Sequence, residues 1–373
     1  MKRAWLFPAF LLAPLVLIQQ AQATPQFSRE FKMPCITCHS HVPKLNAFGE
    51  QFLSNGYRIP GRSKAPTVPA SVWASGLTQN YPNDAERFKS IFNRVELISA
   101  GESDNGRISY FAEWRVVSLE FLSDMSVRDR SGRFEDLFAT FALGDDLKLQ
   151  IGQYRALSQI DVSRRLNLAE PIVFSTALPG ESHPDPRIQS LRGFSLSGRS
   201  PSLRVSAERQ GWTYAAIVPF PGEFSIPLSD EARTTASFEF EPDPKGVLLE
   251  AFFRDGVNSI GIHSFFGRNE RELVGVAGQG RWKNLWFEGG IARAEFAGGS
   301  EWRYSIGFDW IPSDEIAAGM RVDQRQIAGQ KAMFLPYISW QRPFGDQSAK
   351  VVFEGRLQNG RTPRWLMEIG WMF

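Results

Sequence analysis

The second half of the chain alternates apolar and polar residues with a period of two, and this feature limits the possible folds more than any other. Across residues 302–310 every second residue is apolar or aromatic, and the residues between them are polar or small. Successive side chains of a β-strand point to opposite faces, so such a segment is predicted to be a strand with one apolar face. Residues 285–291 and 351–357 have apolar faces of the same kind.

Alternation alone also fits a soluble β-sandwich or propeller. Two features favour a membrane barrel instead. The apolar faces end in Trp and Tyr, as in the aromatic girdles of outer-membrane barrels. The last segment places Trp365, Met367, Ile369, Trp371 and the terminal Phe373 on one face. We therefore expect an all-β, single-chain, antiparallel outer-membrane β-barrel of about 16–18 strands, each of the ~10 residues that a tilted membrane strand needs.

The turn signals predict how this barrel is oriented. If the C-terminus lies in the periplasm, residues 144–146, 255–256 and 312–314 form short periplasmic turns. The longest gap between predicted strands, residues 158–187, then lies outside. Short periplasmic turns and long external loops are typical of this class of barrel. We also expect the long segment to fold back into the lumen.

The N-terminus has the pattern of a signal peptide over residues 1–23. Lys2 and Arg3 precede an apolar stretch at 4–18, and residues 21–23 form a small-x-small cleavage site. The expected mature chain begins at Thr24. Without Lys2 and Arg3 the 42 basic residues become 40, which balances the 40 acidic residues. This neutral chain gives no indication of a nucleic-acid partner.

Cys35 and Cys38 are the two cysteines of the chain, and His39 follows them directly. The pattern C-x-x-C-H attaches c-type haem: the two thiols form thioethers with the haem vinyl groups, and the histidine ligates the iron. The sequence thus predicts one covalently bound haem c, held by Cys35 and Cys38 with His39 as the proximal ligand. A redox-active or metal-binding cysteine pair is the alternative.

The second axial ligand stays open at this point. If the motif helix continues past His39, His41 points to the side of the helix axis opposite to His39. It then does not ligate the iron that His39 binds. His263 alternates with the apolar Ile260 and Ile262, so it is expected to face the lumen. The candidates are His263, His41, Met33 and His183, another Met, or no sixth ligand at all.

The haem motif belongs to a short segment, residues 24–65, that precedes the barrel at 66–373. Leu45, Phe48, Phe52 and Leu53 form an apolar stripe at helical spacing, which ends at 55–56 with Asn-Gly. A segment of about 40 residues is usually too small to fold alone without a covalent cross-link, a metal or a partner to pack against. We expect this helical segment to pack against the barrel.

The haem segment resembles the haem region of the fused monohaem cytochrome-porins, a family that includes outer-membrane cytochromes of iron(II)-oxidising bacteria. The resemblance rests on residues 34–39, Pro43, 45–49 and 56–57. Residues 147–154 also resemble the Gly-Gln-aromatic strand of phosphate-selective-type porins. The family implies a monohaem plug in or under a single-chain barrel in the outer membrane of a Gram-negative bacterium. Electrons would pass between an extracellular donor, such as Fe(II), and a soluble periplasmic cytochrome.

Neither the donor nor the direction of electron flow follows from these residues. Asp185, Glu270 and Glu272 could attract cations, but charged loop residues are usually just solvated. An electron-transfer protein, which could act as an iron(II) oxidase, is the favoured interpretation. The alternative is a diffusion porin whose haem is a plug or a sensor. Motifs of nucleotide-binding and hydrolytic enzymes are absent from the sequence.

Overall fold

The computed structural model describes residues 25–80, 88–103, 105–121, 126–157, 165–169, 173, 199–226, 237–240, 242, 244–267, 272–296, 299–326, 331–344 and 346–373. The N-terminal part comprises α1 (Pro25–Phe31), α2 (Cys35–Cys38), β1 (His39–His41), β2 (Lys44–Leu45) and α3 (Ala47–Ser54). The following strands are β3 (Ser71–Asn80), β4 (Phe88–Glu102), β5 (Ile108–Phe121), β6 (Val127–Asp129), β7 (Arg133–Ala142), β8 (Leu147–Arg155), β9 (Arg199–Arg209), β10 (Trp212–Pro219), β11 (Gly222–Ser225) and β12 (Ser237–Phe240). The remaining strands are β13 (Gly246–Asp255), β14 (Asn258–Gly267), β15 (Glu272–Trp282), β16 (Leu285–Phe296), β17 (Gly299–Trp310), β18 (Ile316–Arg325), β19 (Met333–Phe344), β20 (Gln347–Gln358) and β21 (Arg364–Met372).

Sixteen antiparallel strands of the described chain close into a barrel. The last strand, β21, pairs with the first, β3, from Leu366 opposite Gln79 to Met372 opposite Trp73. β5 pairs directly with β7, and β10 pairs directly with β13, so β6 and the β11–β12 hairpin lie outside this ring. The expected all-β antiparallel barrel is confirmed, and its strand number lies at the lower end of the expected range.

The barrel has an apolar outer face and a polar interior, the reverse of a soluble protein. On β17, Ile306 is 64% exposed, whereas Arg303 is fully buried. On β14, Ile260 and Ile262 are exposed and His263 is buried, as the alternation predicts. An apolar surface of this kind is stable against lipid rather than water.

The three predicted short turns lie at the same end of the barrel as the C-terminus. Phe373 and Val72 exchange backbone hydrogen bonds there, where the barrel begins and ends. The long connections run from β8 to β9 and from β10 to β13, and the strand ends that they join lie at the opposite end of the barrel. We call these ends the short-turn end and the long-loop end. The predicted difference in connection length between the two ends is therefore confirmed, while most of residues 158–187 lies outside the described residues and its external position stays a prediction.

The long connection after β8 enters the lumen, as expected, in its described part, residues 165–169 and 173. The Glu354 carboxylate accepts backbone N–H bonds from Leu168 and Ala169, at 2.6 and 3.0 Å. Leu166 packs with Trp286 and Ile311 near the short-turn end. Residues 166–169 therefore lie in the lumen between Glu354 and the short-turn end.

The signal peptide at 1–23 lies outside the described residues. No helix among the described residues is long and apolar enough to cross a membrane, a finding that does not bear on crossing by β-strands.

We expect the native protein to require detergent for extraction and to migrate faster on an SDS gel unheated than boiled. A closed hydrogen-bonded ring with an apolar belt resists detergent until heat breaks the ladder. The measurement is a pair of gel lanes from outer-membrane extracts. Recovery of the native protein in the soluble periplasmic fraction without detergent would contradict it.

Candidate functional site

Residues 25–57, which we call the plug, lie inside the barrel at the short-turn end. Their core is an aromatic cluster of Phe27, Phe31, Phe52 and Tyr57, in which Phe27 and Tyr57 stack at 5.3 Å between ring centroids. Tyr57 in turn stacks at 6.3 Å on Phe111 of β5. The short segment thus completes its core against the barrel wall, as its length required.

The C-x-x-C pair forms the single turn α2, and both thiols are buried. Cys35 and Cys38 are each 5% exposed. The Asn46 side chain caps α3 by accepting the Gly49 N–H at 3.0 Å, and it donates to two carbonyls of the C-x-x-C turn. A side chain at Gly49 would collide with the Cys38 carbonyl. The helix therefore packs directly on the cysteine turn only because position 49 is glycine.

The His39 ring is held by a hydrogen bond to a backbone carbonyl. Its Nδ1 lies 3.1 Å from the carbonyl oxygen of Pro43. A carbonyl only accepts, so Nδ1 carries the proton and Nε2 carries the lone pair. Ligating histidines are oriented in this way by a second hydrogen bond. Pro43 thus fixes the tautomer in which Nε2 would bind iron.

Cys35, Cys38 and His39 all line one cavity of about 1300 Å³. This exceeds the roughly 300–1000 Å³ of ordinary ligand pockets. The cavity follows the barrel wall as far as Glu120, near the long-loop end of β5. Lys and Arg outnumber Asp and Glu among its lining residues, which favours an anionic occupant such as a haem with its propionates.

Alternating charges line this wall of the lumen. Arg94 lies 2.9 Å from Glu368, and Arg115 lies 2.8 Å from both Glu96 and Glu135. On β4 the outward-facing Phe92 and the lumen-facing Arg94 are two residues apart, because a bulge opposite Ser75 and Gly76 shifts the alternation, so the period of two alone does not predict this charged wall. Which charges pair across strands depends on register, which the sequence did not reveal.

Burial raises the pKa of the Cys38 thiol to about 11. The thiol is therefore neutral near pH 7. A redox-active cysteine is instead recognised by a lowered pKa and partial exposure. The surroundings of this cysteine are unlike those of a reactive redox pair.

Lys44 attaches the plug to the barrel. Its ammonium forms ion pairs with Glu288, at 3.1 Å, and with Asp309, and it lies 5.1 Å from the Trp286 ring centroid. Burial opposes the charge, yet the two carboxylates outweigh it and raise the pKa of Lys44. The Tyr337 hydroxyl donates to Asp309. Sequence analysis missed this site, because its acidic partners are 244 and 265 residues away along the chain.

His41 is held on the barrel wall. Its Nδ1 lies 3.1 Å from the Asp314 carbonyl oxygen, and its Nε2 lies 2.9 Å from Ser339 Oγ. Burial, and then the positive charge of Lys350, lower the pKa of His41 to about 3. The chain after His39 is the short hairpin β1–β2 rather than a helix, so the helical offset considered for His41 does not apply. His41 does not line the cavity.

The other candidates for the second axial ligand also lie away from the cavity or outside the described chain. Met33 packs in the aromatic cluster. His263 faces the lumen as predicted, but its ring packs over Gly275, where a Cβ would lie 2.6 Å from Nε2. His183 lies outside the described residues, as do Asp185 and Glu270. Among the described methionines, Met372 lines the cavity, so the second ligand stays unassigned.

The closed ring, apolar outer face, charged lumen and inserted loop define a porin-type β-barrel. No protein-family profile and no curated protein matches the chain. Among solved structures, the fold is similar to that of Salmonella typhi OmpF in complex with daunomycin, with a TM-score of 0.53 at 10% identity over 82% of this chain and 97% of that one. An anion-selective porin from Comamonas acidovorans gives a TM-score of 0.50 at 11% identity, over 81% and 97% of the two chains. At these identities the similarity shows the fold alone.

Proposed function

We propose that the protein is a monohaem cytochrome-porin that carries electrons across the outer membrane, between an extracellular donor and a soluble periplasmic carrier. The observation that carries this proposal is the position of the C-x-x-C-H motif. Its two buried thiols and His39 line one cavity inside a porin-type barrel. The short-turn end then faces the periplasm, as in other barrels of this class.

The residues of the plug fit haem c. Cys35 and Cys38 provide the two thioether positions one helical turn apart, and Pro43 orients His39. The basic surplus of the cavity favours the negative propionates. A bound haem would supply a one-electron redox centre inside an insulating wall.

The filling of the lumen also favours a conduit over an open pore. The plug enters from the short-turn end, and residues 165–169 come from the long-loop end. The two meet around Trp286, which packs with Leu166 and lies below the Lys44 ammonium. On this side of the barrel the path for solutes is closed by protein.

We expect the haem of intact cells to be reduced by a donor that does not cross membranes. The reason is that the barrel connects the cell surface to the plug through the outer membrane. The measurement is the appearance of the reduced α-band after donor addition. The matched control replaces both Cys35 and Cys38 with Ser and checks that the barrel still assembles.

Absence of the band in cells that contain the haem-loaded protein would contradict the conduit. Fe(II) is the donor that the resemblance implies, and comparing Fe(II) with organic reductants in the same assay assigns the donor. A faster response to Fe(II) would support iron(II) oxidation. Equal responses would point to a general reductant.

The second candidate is a diffusion porin whose haem is a plug or a sensor. It is favoured by the cavity of about 1300 Å³, which runs along the wall from the plug towards the long-loop end. Conductance in planar bilayers separates the two functions. A large steady conductance of the haem-loaded protein would favour diffusion, and a closed state would favour the conduit.

A further inference from the structure

Two large apolar side chains of the plug face solvent at the short-turn end. Ile36 is 47% exposed and Phe48 is 37% exposed. Ile36 lies between the two haem-motif cysteines, and Phe48 precedes Gly49, the residue that packs on Cys38. The Asn46 side chain donates to the Ile36 carbonyl at 3.0 Å and so joins the two segments. We call Ile36, Ala47 and Phe48 the mouth patch.

Basic residues flank the mouth patch on three consecutive turns of the barrel. Ala47 Cβ lies 3.6 Å from the position that a side chain at Gly256 would take, and Arg281 Nη1 lies 3.4 Å from Ser40 Oγ. Residues 209–211, 255–257 and 281–284 form these turns. Their exposed bases are Arg209, Arg281 and Lys283, against one exposed acid, Asp255.

The acidic residue of α3 does not offset this charge. Glu50 is buried, and its carboxylate pairs with Arg254 at 2.9 Å. The mouth patch is therefore an apolar centre whose three adjoining turns carry three exposed bases against one exposed acid, and the exposed acids Asp145, Asp146 and Glu315 lie one turn further away on either side. Interfaces for brief encounters combine a small apolar contact with complementary charge, which steers the partner and fixes its orientation.

We propose that the mouth patch is the docking surface for a soluble electron carrier whose own contact face has an acidic rim. The inference rests on the proposed function, since it names the periplasmic partner of the same haem segment. It places that partner over the cysteine turn, whose Ile36 is exposed while Cys35 and Cys38 on either side of it are buried.

The experiment measures binding of the haem-loaded protein in nanodiscs to two oxidised carriers, one acidic and one basic c-type cytochrome. We expect the acidic carrier to bind at least about tenfold more tightly at low ionic strength, and to lose about tenfold in affinity at 0.5 M salt. Phe48→Asp, and separately Arg281→Glu with Lys283→Glu, should each weaken its binding about tenfold. Val68→Asp is the control, because Val68 is 67% exposed on the linker before β3.

The outcomes separate this inference from the proposed function. A pyridine haemochrome assay of the purified protein comes first, and absence of covalent haem overturns the proposed function. With haem present, equal binding of the two carriers overturns the docking surface, and so does unchanged binding by both sets of variants. Dimerisation that Phe48→Asp abolishes would also overturn it, since a second copy would then occupy the patch.

Discussion

Replacing Cys38 with Ser is expected to abolish the normal two-thioether attachment of haem, because the remaining thiol of Cys35 can form only one bond. Serine is nearly isosteric, and Cys38 lies in the plug rather than in a barrel strand. The barrel should therefore still close and keep its heat-modifiable migration. The measurement is the pyridine haemochrome spectrum of the purified protein, in which one unsaturated vinyl group shifts the α-band.

The control for this variant is Thr37→Ser, which changes a neighbouring position of the motif and keeps both thiols. It should bind haem like the wild type. An unchanged haemochrome spectrum with two saturated vinyl groups in Cys38→Ser would refute the site assignment. His39→Ala extends the series, since it removes the ring that Pro43 orients and should cost the proximal bond.

Replacing Lys44 with Met is expected to detach the plug from the barrel wall. The change leaves Glu288 and Asp309 buried without the cation that neutralises them. Breaking a buried ion pair by removing one partner costs about 3–5 kcal/mol. We expect protease cleavage within residues 25–64 under conditions in which the wild-type plug is protected, while the barrel stays intact.

The control is Lys32→Met, since Lys32 is exposed and the same charge is lost. A triple variant that adds Glu288→Gln and Asp309→Asn should recover part of the protection, because the two carboxylates are then neutral as well. If Lys44→Met is as resistant to protease as Lys32→Met, the ion pairs do not hold the plug.

Much of the fold was predictable from patterns among neighbouring residues. The period of two along β17 predicts both the strand and the face that meets lipid, because a pleated backbone turns successive side chains to opposite sides. The inward direction of His263 followed from the same rule. The helix α3 and its end at Asn55 and Gly56 followed from the apolar spacing, although Leu45 lies before the helix in β2 and Phe48 faces solvent rather than the core. These predictions needed only neighbouring residues.

The sequence by itself therefore determined the strand pattern, the lipid-facing side and the C-x-x-C-H motif. Tertiary structure decided what depends on contacts between distant residues. The number of strands in the closed ring, sixteen, depends on which strands pair with each other. The strands β6, β11 and β12 do not count, because β5 pairs directly with β7 and β10 with β13. Tertiary structure also brought Lys44 to Asp309, 265 residues further along the chain, and held His41 on Ser339, away from the cavity. Such pairs arise from strand register and loop closure, and neither leaves a periodic signal in a single sequence.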